Sequence, residues 1–234
     1  MFWSLTAAGW RDKGKIMKRF EIVNKIIENV VVAVIRLKDE KKLLQVVEAI
    51  YLGGVKTIEI TLTVPNALES LAKLKKEFTG DILVGVGSVL SVDSAKQAID
   101  AGAQFIVSPI FKKEILEYVG SKNLPMCPGA FSPTEIFSAY ELGADIVKVF
   151  PADVVGMDFF KSIKAPMPQL KLMPTGGVTL TNAAQWLAKG ACAVGIGSAL
   201  VDQKLIENNN YSEVTKNAKT LMDTISSYRS SLKN

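Results

Sequence analysis

From residue 18 to residue 230 the sequence alternates short β-branched runs with amphipathic stretches of helical period, and it does so eight times. The strand-like runs are Val30–Ile35, Thr57–Leu62, Ile82–Val86, Phe105–Ser108, Pro125–Cys127, Ile146–Phe150, Lys171–Met173 and Ala193–Ile196. Between them lie helical patterns: Glu40–Leu52, a helix started by Pro65, Val92–Ala101, Lys112–Val119, Asp158–Ile163 and Thr181–Ala188. Ser132-Pro133-Thr134-Glu135 reads as a capping box with proline in the first turn. A lead-in helix over Met17–Asn29 opens the series, and a helix over Tyr211–Ser227 closes it. A strict βα period calls for a parallel sheet covered by helices. Eight such units in 234 residues predict an α/β fold of the (β/α)8 TIM-barrel type. The rival is an open doubly wound sheet. It would carry a glycine-rich dinucleotide fingerprint after the first strand, and Ile35-Arg36-Leu37-Lys38 is not one.

Composition narrows the chemistry. Hydrophobic residues make up 48%, enough for a large core, yet no apolar run reaches the ~18 residues of a membrane span. The net charge is +5 with Lys and Arg scattered, a bias towards small anionic substrates and against nucleic acid. The chain has no histidine, which excludes Ser-His-Asp and Cys-His catalysis and removes the commonest zinc ligand. Its two cysteines, Cys127 and Cys192, sit in apolar runs and read as reduced thiols of a cytoplasmic protein. Residues 1–17 lack any strand or helix period that would join them to the barrel. They read as a disordered extension ahead of a single domain over 18–234; a docking arm using Trp3 and Trp10 is the other reading.

Barrel strands point alternate residues inward, and barrel chemistry sits at the C-terminal strand ends. Two charged residues interrupt apolar strands there. With Val147 and Val149 facing the helices, Lys148 faces the interior. A strand-end lysine can also snorkel to solvent or pair with an acid. An amine withdrawn from water is favoured uncharged, and an uncharged amine attacks ketones to form imines. Glu59 lies between Ile58 and Ile60, so Glu59 and Thr61 also face inward. It is either a counter-ion for Lys148 or a proton shuttle, and the two roles are compatible.

Glycine-rich strand ends are the third feature. Val84-Gly85-Val86-Gly87-Ser88 echoes Val194-Gly195-Ile196-Gly197-Ser198, and Pro174-Thr175-Gly176-Gly177-Val178 follows the seventh strand. Glycines let backbone N–H groups approach an anion, although they also simply permit tight turns. Loops after strands seven and eight are a frequent phosphate site of this fold. Arg36, ending the first strand, can anchor a carboxylate or phosphate, or pair at the surface with Asp39 or Glu40.

Taken in order, these pieces resemble the 2-keto-3-deoxy-6-phosphogluconate aldolases, which include bifunctional 4-hydroxy-2-oxoglutarate aldolases. The matching stretches are Gly53-Gly54-Val55, Ile58-Glu59-Ile60-Thr61, Gly85-Val86-Gly87-Ser88, Val107-Ser108-Pro109, Pro128-Gly129, Ser132-Pro133-Thr134-Glu135, Lys148-Val149-Phe150-Pro151, Pro174-Thr175-Gly176-Gly177-Val178 and Gly195-Ile196-Gly197-Ser198. The resemblance implies a class I carbon–carbon lyase with Lys148 as Schiff-base lysine and Glu59 as proton-transfer residue. It implies a substrate carboxylate bound by Ser88, where the family usually has threonine, with Thr61 and Arg36 near it. Thr175, Gly176, Gly177, Gly197 and Ser198 would hold the substrate phosphate. It further implies a homotrimer acting on a small 2-oxo acid with no metal and no cofactor. One position departs: Thr63 stands where many members carry an arginine that contacts the carboxylate, and this puts substrate choice in doubt. Two other readings are another phosphate-binding barrel enzyme, such as a thiamine-phosphate synthase, and a non-catalytic binding protein on the same frame. Trapping of pyruvate on Lys148 separates the first, and turnover separates the second.

Overall fold

The computed structural model describes residues 17–78 and 81–232. Its strands are β1 (Val31–Ile35), β2 (Thr57–Thr61), β3 (Leu83–Gly87), β4 (Ile106–Val107), β5 (Met126–Cys127), β6 (Gly129–Ala130), β7 (Val147–Val149), β8 (Leu172–Pro174) and β9 (Val194–Ile196). Every pairing is parallel, in the orders β5-β4-β3-β2-β1-β9 and β6-β7-β8. Pro128, which has no N–H to donate, separates β5 from β6, so these two are halves of one stave. Parallel bridges Leu172↔Ala191 and Thr175↔Gly195 join β8 to β9 and close the ring. The result is the expected (β/α)8 barrel of eight staves.

Helices follow each stave: α2 (Leu43–Leu52, entered through a 3-10 turn at Glu40–Lys42), α3 (Ala67–Glu77), α4 (Val92–Asp100), α5 (Lys113–Ser121), α6 (Pro133–Glu141), α8 (Met157–Lys164, preceded by the single turn α7, Ala152–Val155), α9 (Ala183–Ala188) and α11 (Tyr211–Ser231, preceded by α10, Gln203–Glu207). No helix among the described residues is long and apolar enough to cross a membrane. The Ser132 capping box forms as the sequence predicts, with Glu135 N–H donating to Ser132 Oγ and Pro133 in the first turn. Pro65 does not start α3. Val64 N–H first closes a turn onto the Thr61 carbonyl, and Asn66, left-handed at φ 48°, becomes the N-cap. The segments α7 and α10 are additional to the expected elements.

Two separate apolar clusters follow from strand alternation. Outward residues such as Val31, Ala33, Ile35, Ile58, Ile60, Val84, Val86, Val147 and Val149 pack beneath the helices. Inward residues Val32, Leu83, Phe105, Val107, Cys127, Ile146, Met173 and Ala193 fill the barrel's N-terminal half. There the lead-in helix α1 (Arg19–Asn29) plugs the open bottom with Ile22, Val23 and Ile26. Each such buried side chain contributes about 1.5–3 kcal/mol. Gly85 is required by this packing, because a Cβ there would lie 2.5 Å from the Phe105 ring. Arg19 holds the plug by pairing with Asp145 at 2.6 Å and donating to the Gly143 carbonyl. At the other end of α1, Arg229 donates to the carbonyls of Glu28 (3.1 Å) and Ile27 (3.4 Å). The expectation for residues 1–17 lies outside the described residues, Met17 apart.

Candidate active site at the C-terminal end of the barrel

Above the plug the interior changes character. Strand β2 turns Glu59 inward and β7 does the same for Lys148, because their outward neighbours are the apolar residues that dock the helices. Both side chains are almost fully buried, at 1% and 2% exposure. Lys148 Nζ lies 3.8 Å from Glu59 Oε1, an ion-pair separation longer than a hydrogen bond. Glu59 Oε2 is buried without a hydrogen-bond partner among the described residues. Gly87 leaves the space that the Glu59 carboxylate occupies, since a Cβ at Gly87 would collide with it. Lys148 Nζ also lies over the Phe150 ring, 5.2 Å from its centre. Sequence reasoning overlooked Phe150, although the alternation Ile146, Lys148, Phe150 already carried it.

The other expected site residues distribute as follows. Thr61 is buried and donates to the Ile35 carbonyl at 3.1 Å. Having given its proton there, it accepts from Thr63, whose Oγ1 lies 2.7 Å away. Thr63 therefore braces the end of β2 from its exposed side. Ser88 is half-buried at the end of β3 and adopts a left-handed backbone, φ 61°, which aims the chain sharply out of the strand. Arg36 is exposed at the end of β1. Neither acid expected to pair with it does so: Asp39 accepts from Lys41 N–H and Glu40 from Asn66.

Thr175 is buried, its Oγ1 lacks a partner among the described residues, and it lies over Gly195 in the space a side chain there would need. Gly176 and Gly177 both have positive φ, 97° and 71°, the region that favours glycine. The Gly177 carbonyl is held by Asn182 Nδ2 at 2.9 Å. Among the described residues, the backbone N–H groups of Gly176, Gly177, Gly197 and Ser198 donate to no protein acceptor. Two adjacent turns thus offer free donors to an anion.

The thiols stand apart from this chemistry. Burial pushes Cys127 far above the ordinary thiol range and Cys192 up to about 12, so neither is a ready nucleophile. No group of three His, Cys, Asp or Glu among the described residues is placed to hold a metal ion. A groove of about 380 Å³ lies between α2 and α3, lined by Glu40, Leu43, Leu44, Glu69 and Leu74, and contains neither Lys148 nor Glu59 nor any residue of the two glycine turns.

Fold and buried amine–carboxylate pair together describe a barrel lyase, and comparison with known proteins gives the family. The model of the KDPG and KHG aldolases matches residues 22–217, and the chain belongs to that family. It is 35% identical over 186 residues to the 2-dehydro-3-deoxy-phosphogluconate aldolase of Treponema pallidum, covering 79% of this chain and 88% of that one. Identity to the aldolase of the same description from Haemophilus influenzae is 32% over 206 residues, covering 88% and 97%. Among solved structures, the KDPG aldolase of Legionella pneumophila, with pyruvate captured at low pH as a covalent carbinolamine intermediate, superposes with a TM-score of 0.80 at 30% identity. That match covers 88% of this chain and 98% of that one. A thiamine phosphate pyrophosphorylase from Pyrococcus furiosus shares the fold alone, at 20% identity and a TM-score of 0.63.

Proposed function

We propose that the protein is a metal-independent class I aldolase that cleaves 2-dehydro-3-deoxy-6-phosphogluconate to pyruvate and glyceraldehyde 3-phosphate. The reading extends to 4-hydroxy-2-oxoglutarate, which would give pyruvate and glyoxylate. The observation that carries it is the Lys148–Glu59 pair, buried at 3.8 Å inside the mouth of a barrel of this family.

The chemistry runs from the amine. Lys148, its ammonium proton passed to Glu59, attacks the 2-oxo carbon, giving a carbinolamine. Glu59, directly or through water, protonates the departing hydroxyl, and dehydration leaves an iminium. Glu59 Oε2, without a hydrogen-bond partner among the described residues, is the acceptor left open for such a proton. With the iminium as electron sink, the bond between C3 and C4 breaks once the C4 hydroxyl loses its proton, and the electron pair passes into an enamine. Protonation of that enamine at C3 and hydrolysis of the imine release pyruvate and restore the lysine. In this reading Ser88 and Arg36 receive the carboxylate, while Thr61, its proton given to the Ile35 carbonyl, braces the end of β2 instead. The free N–H groups of Gly176, Gly177, Gly197 and Ser198, with Thr175 beneath, receive the phosphate.

The single domain over 18–234, a homotrimeric assembly and a cytoplasmic location belong to the same reading. The two free cysteines support the last of these. The test is pyruvate release from the phosphogluconate-derived acid, its galactonate epimer and 4-hydroxy-2-oxoglutarate, with borohydride trapping of pyruvate. Turnover of the first acid and a mass increment on Lys148 are expected. Trapping without turnover of any of the three would reduce the protein to a pyruvate binder.

A further inference from the structure

Beside the free N–H groups of the β8 turn stands a carboxylate that the mechanism above does not use. Asp153 is exposed in the single turn α7, directly after the Lys148 stave. The loops after β7 and β8 are packed together: Ala152 N–H donates to the Thr175 carbonyl at 2.9 Å. A Cβ on Gly176 would lie 2.9 Å from Asp153 Oδ1, and one on Gly177 would lie 2.5 Å from Asp153 Cβ. The acid therefore rests against both glycines whose amides are unspent.

It also keeps its charge to itself. Asp153 forms no ion pair among the described residues. An anion cradle built from neutral amides would hold a phosphate dianion most tightly with no like charge beside it. Here a like charge is built in.

We propose that Asp153 is a specificity-determining residue that weakens the hold of this turn on dianionic phosphate, so that the phosphorylated aldehyde is released rather than retained. The proposal rests on the reading of Gly176 and Gly177 as the phosphate cradle. Asp153 touches no reacting atom in it. Its action is electrostatic, on the end of the substrate remote from Lys148.

The test compares wild type with Asp153→Asn, which keeps the shape and removes the charge, using inorganic phosphate and glyceraldehyde 3-phosphate as inhibitors of retro-aldol turnover. The variant should be inhibited several-fold more strongly by both, and KM for the phosphorylated acid should fall. Borohydride trapping of pyruvate, which has no phosphate tail, should be unchanged. The difference should shrink as ionic strength approaches about 1 M, where the screening length is about 3 Å. A merely structural role would not respond to salt in this way. Equal or weaker inhibition of the variant overturns the proposal. If inorganic phosphate inhibits neither protein while pyruvate still traps, the cradle assignment itself falls and the proposal with it, leaving the imine chemistry standing.

Discussion

Below Lys148, the barrel interior is filled by Leu83, Phe105, Cys127, Ile146, Met173 and Ala193 and sealed by Ile22 and Ile26 of α1; above it, the staves of Leu83, Cys127 and Ala193 carry Gly87, Gly129, Gly195 and Gly197. The lower half buries apolar surface and leaves little to hydrate. The upper half gives up that packing, and in the space it frees stand Glu59, Lys148 and Thr175, with Glu59 Oε2 and Thr175 Oγ1 unpartnered. Unpartnered buried polar groups each cost about 1–3 kcal/mol. The contrast teaches that stability and chemistry are divided along the barrel axis, with the plugged end offsetting the cost of the open one.

The division can be broken from either end. The largest effect expected is from Lys148→Met, which removes the only amine placed for the imine among the described residues and should abolish both turnover and borohydride trapping, while circular dichroism stays that of a folded barrel. Residual trapping at another lysine would show that the amine's position is not decisive. Next comes Glu59→Gln, which keeps the shape and removes the proton carrier. Turnover should fall by about 10²–10⁴-fold, and trapping should slow without vanishing. Near wild-type turnover would make Glu59 a counter-ion only.

From the plugged end, Phe105→Ala should cost about 3–5 kcal/mol of stability in urea unfolding. The folded fraction should still turn over at close to the wild-type rate, because Phe105 lies in the lower cluster. A large loss of kcat at unchanged stability would erase the division. The smallest effect concerns the turn from β6 into α6. Glu135 there accepts from the N–H groups of Phe131 and Ser132, which hold its carboxyl below the usual range. The ionised form is thus favoured in the fold. Its contribution is present above the unfolded pKa of about 4.3 and is lost as pH falls through the lower folded value. Glu135→Gln should cost at most about 1 kcal/mol at neutral pH, reduced by its exposure, and the gap from wild type should close in acid. A gap that persists undiminished in acid would assign the effect to shape alone.

The strands were legible because alternation is a local property. Ile58 and Ile60 outward with Glu59 inward can be read from three consecutive letters, and the same holds for Lys148. Their meeting at 3.8 Å was not legible, since it depends on closure between staves far apart in the chain. What fills a glycine's space was hidden for the same reason. Gly87 makes room for Glu59, and Gly195 for Thr175, each from the neighbouring stave. Turns were read least well: Pro65 gave a helix start that Asn66 takes, and the backbone of Ser88 is left-handed without a glycine to announce it. Asp153 carried no signal in the strand pattern, because its significance comes only from the β8 turn packed against it.

Arg229 reaches back across 201 positions to the Glu28 carbonyl, so nearly the whole chain lies inside one hydrogen bond. The seat of α1 likewise includes Met173 and Ala193, far along the sequence from it. Contacts of such long sequence separation slow folding. The bottom plug thus ties Ile22 and Ile26 to Met173 and Ala193, residues from opposite ends of the barrel sequence.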